Sequence, residues 1–104
     1  MSSSFTLIYS PRAQRDFKKL PVKQAHQILD DLGKLVKPQK DWPVGQIKRL
    51  KGHPYWEIKT GDFRSIFILQ GTKVVVLRVV NRRELEREVK RIDWRWFSEW
   101  LQKI

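Results

Sequence analysis

The sequence predicts an α+β domain in the order strand, helical hairpin, three-stranded meander, C-terminal helix, and three observations carry that reading. Apolar residues recur at helical spacing in two consecutive stretches between Ala13 and Val36. From Tyr55 to Val80 the chain alternates instead, in three runs rich in aromatic and β-branched residues, separated by Gly61-Asp62 and Gly71-Thr72. After Asn81 helical spacing returns and continues to the last residue. With 104 residues and no cysteine, the chain is read as one domain, residues 1–104, that buries one core without disulfides or thiolate metal sites.

Taken in order, Phe5-Thr6-Leu7-Ile8-Tyr9 reads as a strand, closed by Ser10 as N-cap with Pro11 in the first helical position. Ala13, Phe17 and Leu20 give the first helix its apolar face. Pro21 interrupts, and Val22, Ala25, Ile28, Leu29, Leu32, Leu35 and Val36 form one stripe on a second helix. Together these have the pattern of a helical hairpin lying on a sheet. His26 lies off that stripe with no ligand-type residue at metal-binding spacing, which makes it an ordinary helix residue. Residues 37–46, with two prolines, a glycine and two lysines, read as a surface loop in which Trp42 either anchors the loop or stacks on a base.

In the meander, Gly61-Asp62 suggests a tight hairpin with glycine supplying the positive φ. If these are the two loop residues, Lys59 faces Arg64 across the strands, a like-charge pair that is destabilising on its own. Two explanations stand: the side chains diverge into water, or they converge on an anion. The third run, residues 73–80, is a Val/Leu series broken by Arg78, and its continuous hydrophobicity suggests an interior strand. A simple two-residue turn at Gly71-Thr72 puts Arg78 on the face away from Arg64; a bulge reverses that.

Asn81 followed by Glu84 resembles a capping box, placing Arg82 and Arg83 in the first turn of a helix. Cations there oppose the helix dipole by a few tenths of a kcal/mol each, roughly, yet suit a phosphate visitor. Leu85, Val89, Ile92 and Trp96 make one stripe, continued by Phe97, Trp100, Leu101 and Ile104, and Asp93 could begin a separate helix. The tryptophans of this segment are either a core plug or a patch for a partner.

Charge narrows the partners. Twenty-two Lys and Arg against eleven Asp and Glu give +11, with an isoelectric point near 10.4. Such a domain attracts polyanions, nucleic acid ahead of an anionic membrane surface, because no basic amphipathic helix of the interfacial kind stands out. The residues before Ser10-Pro11 are too few for a signal peptide or a span, so a cytoplasmic location is expected.

Leu50-Lys51-Gly52, Trp56-Glu57-Ile58-Lys59, Gly61-Asp62-Phe63-Arg64 and Arg82-Arg83-Glu84, in this order over nearly the whole chain, resemble the RelE/ParE toxin superfamily of type II toxin-antitoxin modules. The resemblance implies an antiparallel sheet, formed by the N-terminal strand and the meander, with helices on one face and a basic concave face left open. It implies a ribosome-dependent mRNA endonuclease, working without metal or cofactor, in which the ribose 2′-hydroxyl attacks the adjacent phosphate. Lys59 then matches a base or phosphate ligand, Arg64 the arginine that stabilises the transition state, and Arg83, or alternatively Arg82, one beside the scissile phosphate. Glu57 and His53 are further candidates for proton transfer, and Lys48, Arg49 and Lys51 for gripping flanking phosphates. A cognate antitoxin, acidic in charge, is the implied protein partner, compatible with an antitoxin-bridged hetero-oligomer. Departures from the pattern are Glu86 where many RelE-like toxins carry a tyrosine, and Glu57 where the best-known nuclease has a second lysine. The other activity of this superfamily, ParE-like poisoning of DNA gyrase without cleavage, shares the fold, as would an RNA-binding module that has lost cleavage.

Overall fold

Asp93 and Asn81, two short polar residues, divide the C-terminal third of the chain. In the computed structural model, which describes residues 4–104, Asn81 ends the last strand and its Oδ1 accepts from Arg83 N–H at 3.0 Å. A single 3-10 turn, Arg82–Glu84, leads into helix α3, Leu85–Arg91. Ile92 then turns extended, and Asp93 caps α4, Trp94–Lys103, by accepting from Trp96 N–H at 3.0 Å. The two segments are therefore separate helices, and Glu84 pairs with Arg87 at 2.9 Å in the next turn.

The earlier elements follow the sequence closely. Strand β1 is Thr6–Tyr9, α1 is Pro11–Lys18 and α2 is Val22–Gly33. Ser10 caps α1 by accepting from Ala13 N–H at 3.0 Å and donates its own hydroxyl to Leu77 C=O at 2.8 Å. A cap of this kind contributes about 1 kcal/mol. Strand β2, Ile47–Arg49, is too short and too charged to show in the sequence pattern; it is followed by β3, Trp56–Thr60, β4, Phe63–Gln70, and β5, Lys73–Asn81. Of the residues expected on the α2 stripe, Ile28, Leu32 and Leu35 are buried, whereas Val22, Leu29 and Val36 face outward.

The five strands form one sheet in the order β1-β5-β4-β3-β2. All pairings are antiparallel except the edge pair of β1 with β5, which is parallel because the helical hairpin returns the chain to the far side of the sheet before the meander begins. β5 is interior, in keeping with its long apolar run.

Helices cover both faces, which corrects the one-faced arrangement the resemblance implies. One face carries Ile58, Phe67, Val74 and Val76 under Ala13, Ile28, Leu32 and Leu35. The other carries Ile66, Ile68, Val75 and Leu77 under Val89 of α3 and Phe97 and Leu101 of α4. The physical reason lies in β4 and β5: both faces of these strands are apolar, so each needs a helical layer to take it from water. Trp42 settles as an anchor, buried against Phe5, Trp56 and Phe67 with its indole N–H donating to Lys37 C=O at 3.0 Å, so its ring is closed to a base. Among the described residues no helix is long and apolar enough to cross a membrane.

The β4–β5 ladder shifts register between Ile66 and Phe67, so Ile66 faces Arg78 while Phe67 faces Val76. This bulge puts Arg78 on the same face as Arg64. Beyond the end of β1 the outer edge of β5 is open, and there Asp16 of α1 accepts from Val79 N–H at 2.9 Å and from Arg78 Nε at 2.8 Å. Glu88 of α3 meets Arg78 Nη1 at 3.4 Å. One arginine thus ties a helix from each layer to the sheet. Burial alone would depress the Arg78 pKa, and its bonds to Asp16 and Glu88 outweigh that and raise it.

Candidate functional site

The β3–β4 hairpin positions the centre of the site. Gly61 takes φ +57° and no other described residue outside glycine has positive φ, so the loop is a two-residue turn opened by glycine, close to type II′. The register that follows places Thr60 opposite Phe63 and Lys59 opposite Arg64. Lys59 and Arg64 therefore share the α3/α4 face at the hairpin end, beyond the cover of Val89 and Phe97.

Glu57 sits on the same face, two residues back along β3 and opposite Lys48 of β2. It is only 2% exposed, and its Oε1 lies 4.0 Å from both Lys48 Nζ and Arg64 Nε. Its Oε2 is buried with no hydrogen-bond partner among the described residues. A buried carboxylate at that distance from two cations is held by their field rather than by direct bonds, and it keeps one acceptor oxygen unused.

Arg64 is fixed by its own hairpin. Nη1 donates to Gly61 C=O and Phe63 C=O, both at 2.9 Å, and no hydrogen bond within the described residues uses Nε or Nη2. The guanidinium is thus oriented while two of its nitrogens stay available. Lys59 is exposed, and its backbone is clamped by Gln46: Lys59 N–H donates to Gln46 C=O at 2.9 Å and Gln46 Nε2 donates to Lys59 C=O at 2.8 Å. The Thr60 hydroxyl donates to Asp31 of α2 at 2.7 Å, and Asp31 also meets Lys34 at 2.9 Å. Burial would raise the Asp31 pKa; the hydrogen bonds from Lys34, Thr60 and Gln46 reverse that and lower it. Neither Gln46 nor Asp31 stands out in the sequence, because each acts through a partner far along the chain.

The remaining sequence candidates divide. Arg82 is brought to the hairpin turn, its N–H donating to Asp62 C=O at 2.7 Å and its Nε 3.5 Å from Asp62 Oδ1. Arg83 is exposed and lines a shallow hollow with Glu86, Arg87, Lys90 and Arg91, bounded by neither Lys59 nor Arg64. Lys48 is on the Lys59 face, but Arg49 alternates to the other, where its guanidinium lies 5.5 Å from the Trp56 ring centre. Lys51 and His53 follow β2 and border a hollow with Leu85, Glu86 and Lys90 of the α3 region; His53 stacks on Tyr55 at 5.6 Å.

Comparison with known proteins now bears on this arrangement. Residues 7–86 match the family model described as ParE toxin of type II toxin-antitoxin system, parDE. The chain belongs to the ParE toxin family. Solved structures agree on the fold. A free-state mutant of the Escherichia coli toxin RelE superposes with TM-score 0.67 at 22% identity, covering 86% of this chain and 98% of that one. The toxin-antitoxin complex RelBE2 of Mycobacterium tuberculosis gives TM-score 0.62 at 24% identity, over 78% and 94% of the two chains. A YoeB/ParE toxin from Agrobacterium tumefaciens gives 0.57 at 19%, over 74% and 98%. No curated protein sequence matches the chain. This toxin therefore has the shared RelE/ParE sheet, with α4 lying wholly beyond the residues that the family model spans.

Proposed function

We propose that this toxin acts on RNA, cutting messenger RNA on the ribosome by attack of the ribose 2′-hydroxyl on the adjacent phosphate, which breaks the P–O5′ bond and leaves a 2′,3′-cyclic phosphate and, once the leaving oxygen is protonated, a 5′-hydroxyl. The observation that carries the reading is the pairing of Lys59 with Arg64 on one exposed end of the sheet, with Arg64 pre-oriented and two of its nitrogens free of any hydrogen bond within the described residues. Cations fixed before the substrate arrives stabilise a phosphorane without reorganising during the reaction. Arg64 is assigned to the non-bridging oxygens, and Lys59 to the attacking hydroxyl or its phosphate. Arg82, tethered at the hairpin turn, is better placed than Arg83 to reach the same phosphate. Lys48 and Lys51 hold flanking phosphates.

Glu57 is nearly inaccessible, which favours a role in holding Arg64 and Lys48 over direct proton transfer from substrate. His53, stacked on Tyr55, borders the same side at the β2 end. The protein partner proposed is a cognate antitoxin: relatives such as the Methanococcus jannaschii RelE and Mycobacterium tuberculosis RelE2 toxins were solved in complex with theirs. A charge of +11 calls for an acidic one.

A second reading, inhibition of DNA gyrase without cleavage, is favoured by the family description itself and by Glu86 at the position where many RelE-like toxins have tyrosine. Purified toxin incubated with programmed ribosomes, with RNA ends mapped, and in parallel with gyrase in a supercoiling assay, separates the two. RNA cleavage lost in Arg64→Ala supports the nuclease; inhibited supercoiling with intact RNA replaces it with the gyrase reading.

A further inference from the structure

A second cationic cleft lies between the start of α1 and the α3–α4 junction, beside Arg78 of β5. It measures about 360 Å³, within the range of small-ligand pockets, and its walls include Arg12, Arg15 and Arg91 with Trp96 and Phe97. The carboxylates that border it are already engaged. Asp93 accepts from the Trp96 backbone as the α4 cap, and Glu88 is shared among Arg78, Arg87 and Arg91. Arg12 and Arg15, one turn apart on α1, meet no carboxylate among the described residues.

The aromatic wall is equally unusual. Trp96 is 45% exposed although it is a large apolar ring, and it lies parallel to Trp100 at 6.4 Å and 6° while Phe97 meets it edge-on at 5.1 Å. Its position and tilt are therefore fixed by two rings that support it, and burial of the rest of α4 does not require its exposed surface. Core packing explains Phe97 and Leu101; it does not explain Trp96.

We propose that this cleft is a second binding site for single-stranded nucleic acid, holding a phosphate on Arg12 and Arg15 and stacking a base on Trp96. Guanidinium groups chelate phosphate oxygens in a bidentate fashion, and a supported indole offers a π-face to any base. Four arginines on the walls, Arg12, Arg15, Arg78 and Arg91, outnumber the two carboxylates, Glu88 and Asp93, which favours an anion, and a broad flat ring beside paired arginines favours a nucleotide over an acidic peptide, whose side chains need not stack. The site requires no cleavage at the hairpin end, so it stands or falls separately from the nuclease reading.

The test uses the full chain and a short fluorescein-labelled single-stranded RNA, with binding followed by anisotropy without ribosomes. The double variant Arg12→Gln/Arg15→Gln and the single variant Trp96→Ala should each weaken binding by about tenfold. Trp96→Phe should retain most of the affinity. Lys18→Gln/Lys19→Gln, which removes the same charge from exposed positions further along the helix, should cost about twofold or less. An abasic strand with the same phosphates should bind wild type and Trp96→Ala alike. The proposal is overturned if the Lys18/Lys19 variant loses as much as the Arg12/Arg15 variant, or if Trp96→Ala binds like wild type. Tighter binding of an acidic peptide than of RNA, dependent on Arg12 and Arg15, would overturn it in favour of a protein partner.

Discussion

Arg64 and Arg78 stand on the same face of the same sheet and are almost equally buried, with side chains 13% and 11% exposed, yet they are built for opposite purposes. Arg78 meets Asp16 at 2.8 Å and Glu88 at 3.4 Å, two carboxylates contributed by helices from different layers. Among the described residues Arg64 has no carboxylate closer than the 4.0 Å of Glu57 and is steered instead by backbone carbonyls of its own turn. A cation satisfied by acids is a fastener. One oriented by neutral carbonyls retains its charge for an incoming anion.

Substitution should separate the two roles. The largest effect on stability belongs to Arg78→Ala, which strands Asp16 and leaves Glu88 only its longer contacts with Arg87 and Arg91, and should cost about 3–5 kcal/mol, read as a fall in the denaturant midpoint. Arg78→Met, which fills the space but still leaves Asp16 without a cation, should recover only a minor part. Arg64→Ala should lower the RNA cleavage rate by about a hundredfold or more while changing stability by no more than about 1 kcal/mol. If both arginines behave alike in the melt, the contrast fails.

The hairpin tether gives a smaller effect with a pH signature. Asp31 has a lowered pKa in the folded state, so its contribution is complete above the carboxylate's unfolded value and is lost as pH falls through the folded one. Asp31→Asn should therefore destabilise by about 1 kcal/mol at neutral pH and converge on wild type in acid, as pH falls below the lowered folded-state pKa. A stability difference that persists unchanged into that range would show that Asp31 acts by packing. The smallest change expected is at Lys48, whose side chain is 63% exposed. Lys48→Gln should weaken RNA binding slightly and reduce the salt slope by about 0.7, the value for one single-strand phosphate.

The contrast between the two arginines also shows where sequence is legible. The Lys59–Arg64 register could be read because glycine at a two-residue turn fixes which residues face each other. Ser10, Asn81 and Asp93 could be read because caps are local. Arg78 could not be placed, since its face depends on a bulge that no local residue announces. One signal was available: Asp16 interrupts the apolar side of α1 just as Arg78 interrupts the apolar run of β5, and two opposite charges each set in an apolar pattern suit one another. Strand β2 and the clamp by Gln46 depend on pairing with β3, and so become visible only once the sheet is assembled. The helical cover on both faces follows from apolar residues on both sides of β4 and β5, which the sequence displays, but which face each helix takes does not.

The most direct test uses the Arg12→Gln/Arg15→Gln variant, which disables the second cleft that Arg78 also lines, and follows the arginine side-chain Nε–Hε signals by NMR during titration with a short single-stranded RNA carrying a 2′-deoxy residue to block cleavage. The Arg64 signal should move progressively as phosphate reaches its free nitrogens, and the Arg78 signal should stay in place. An unmoved Arg64, or an Arg78 that shifts with it, would contradict the assignment of one arginine to the ligand and the other to the fold.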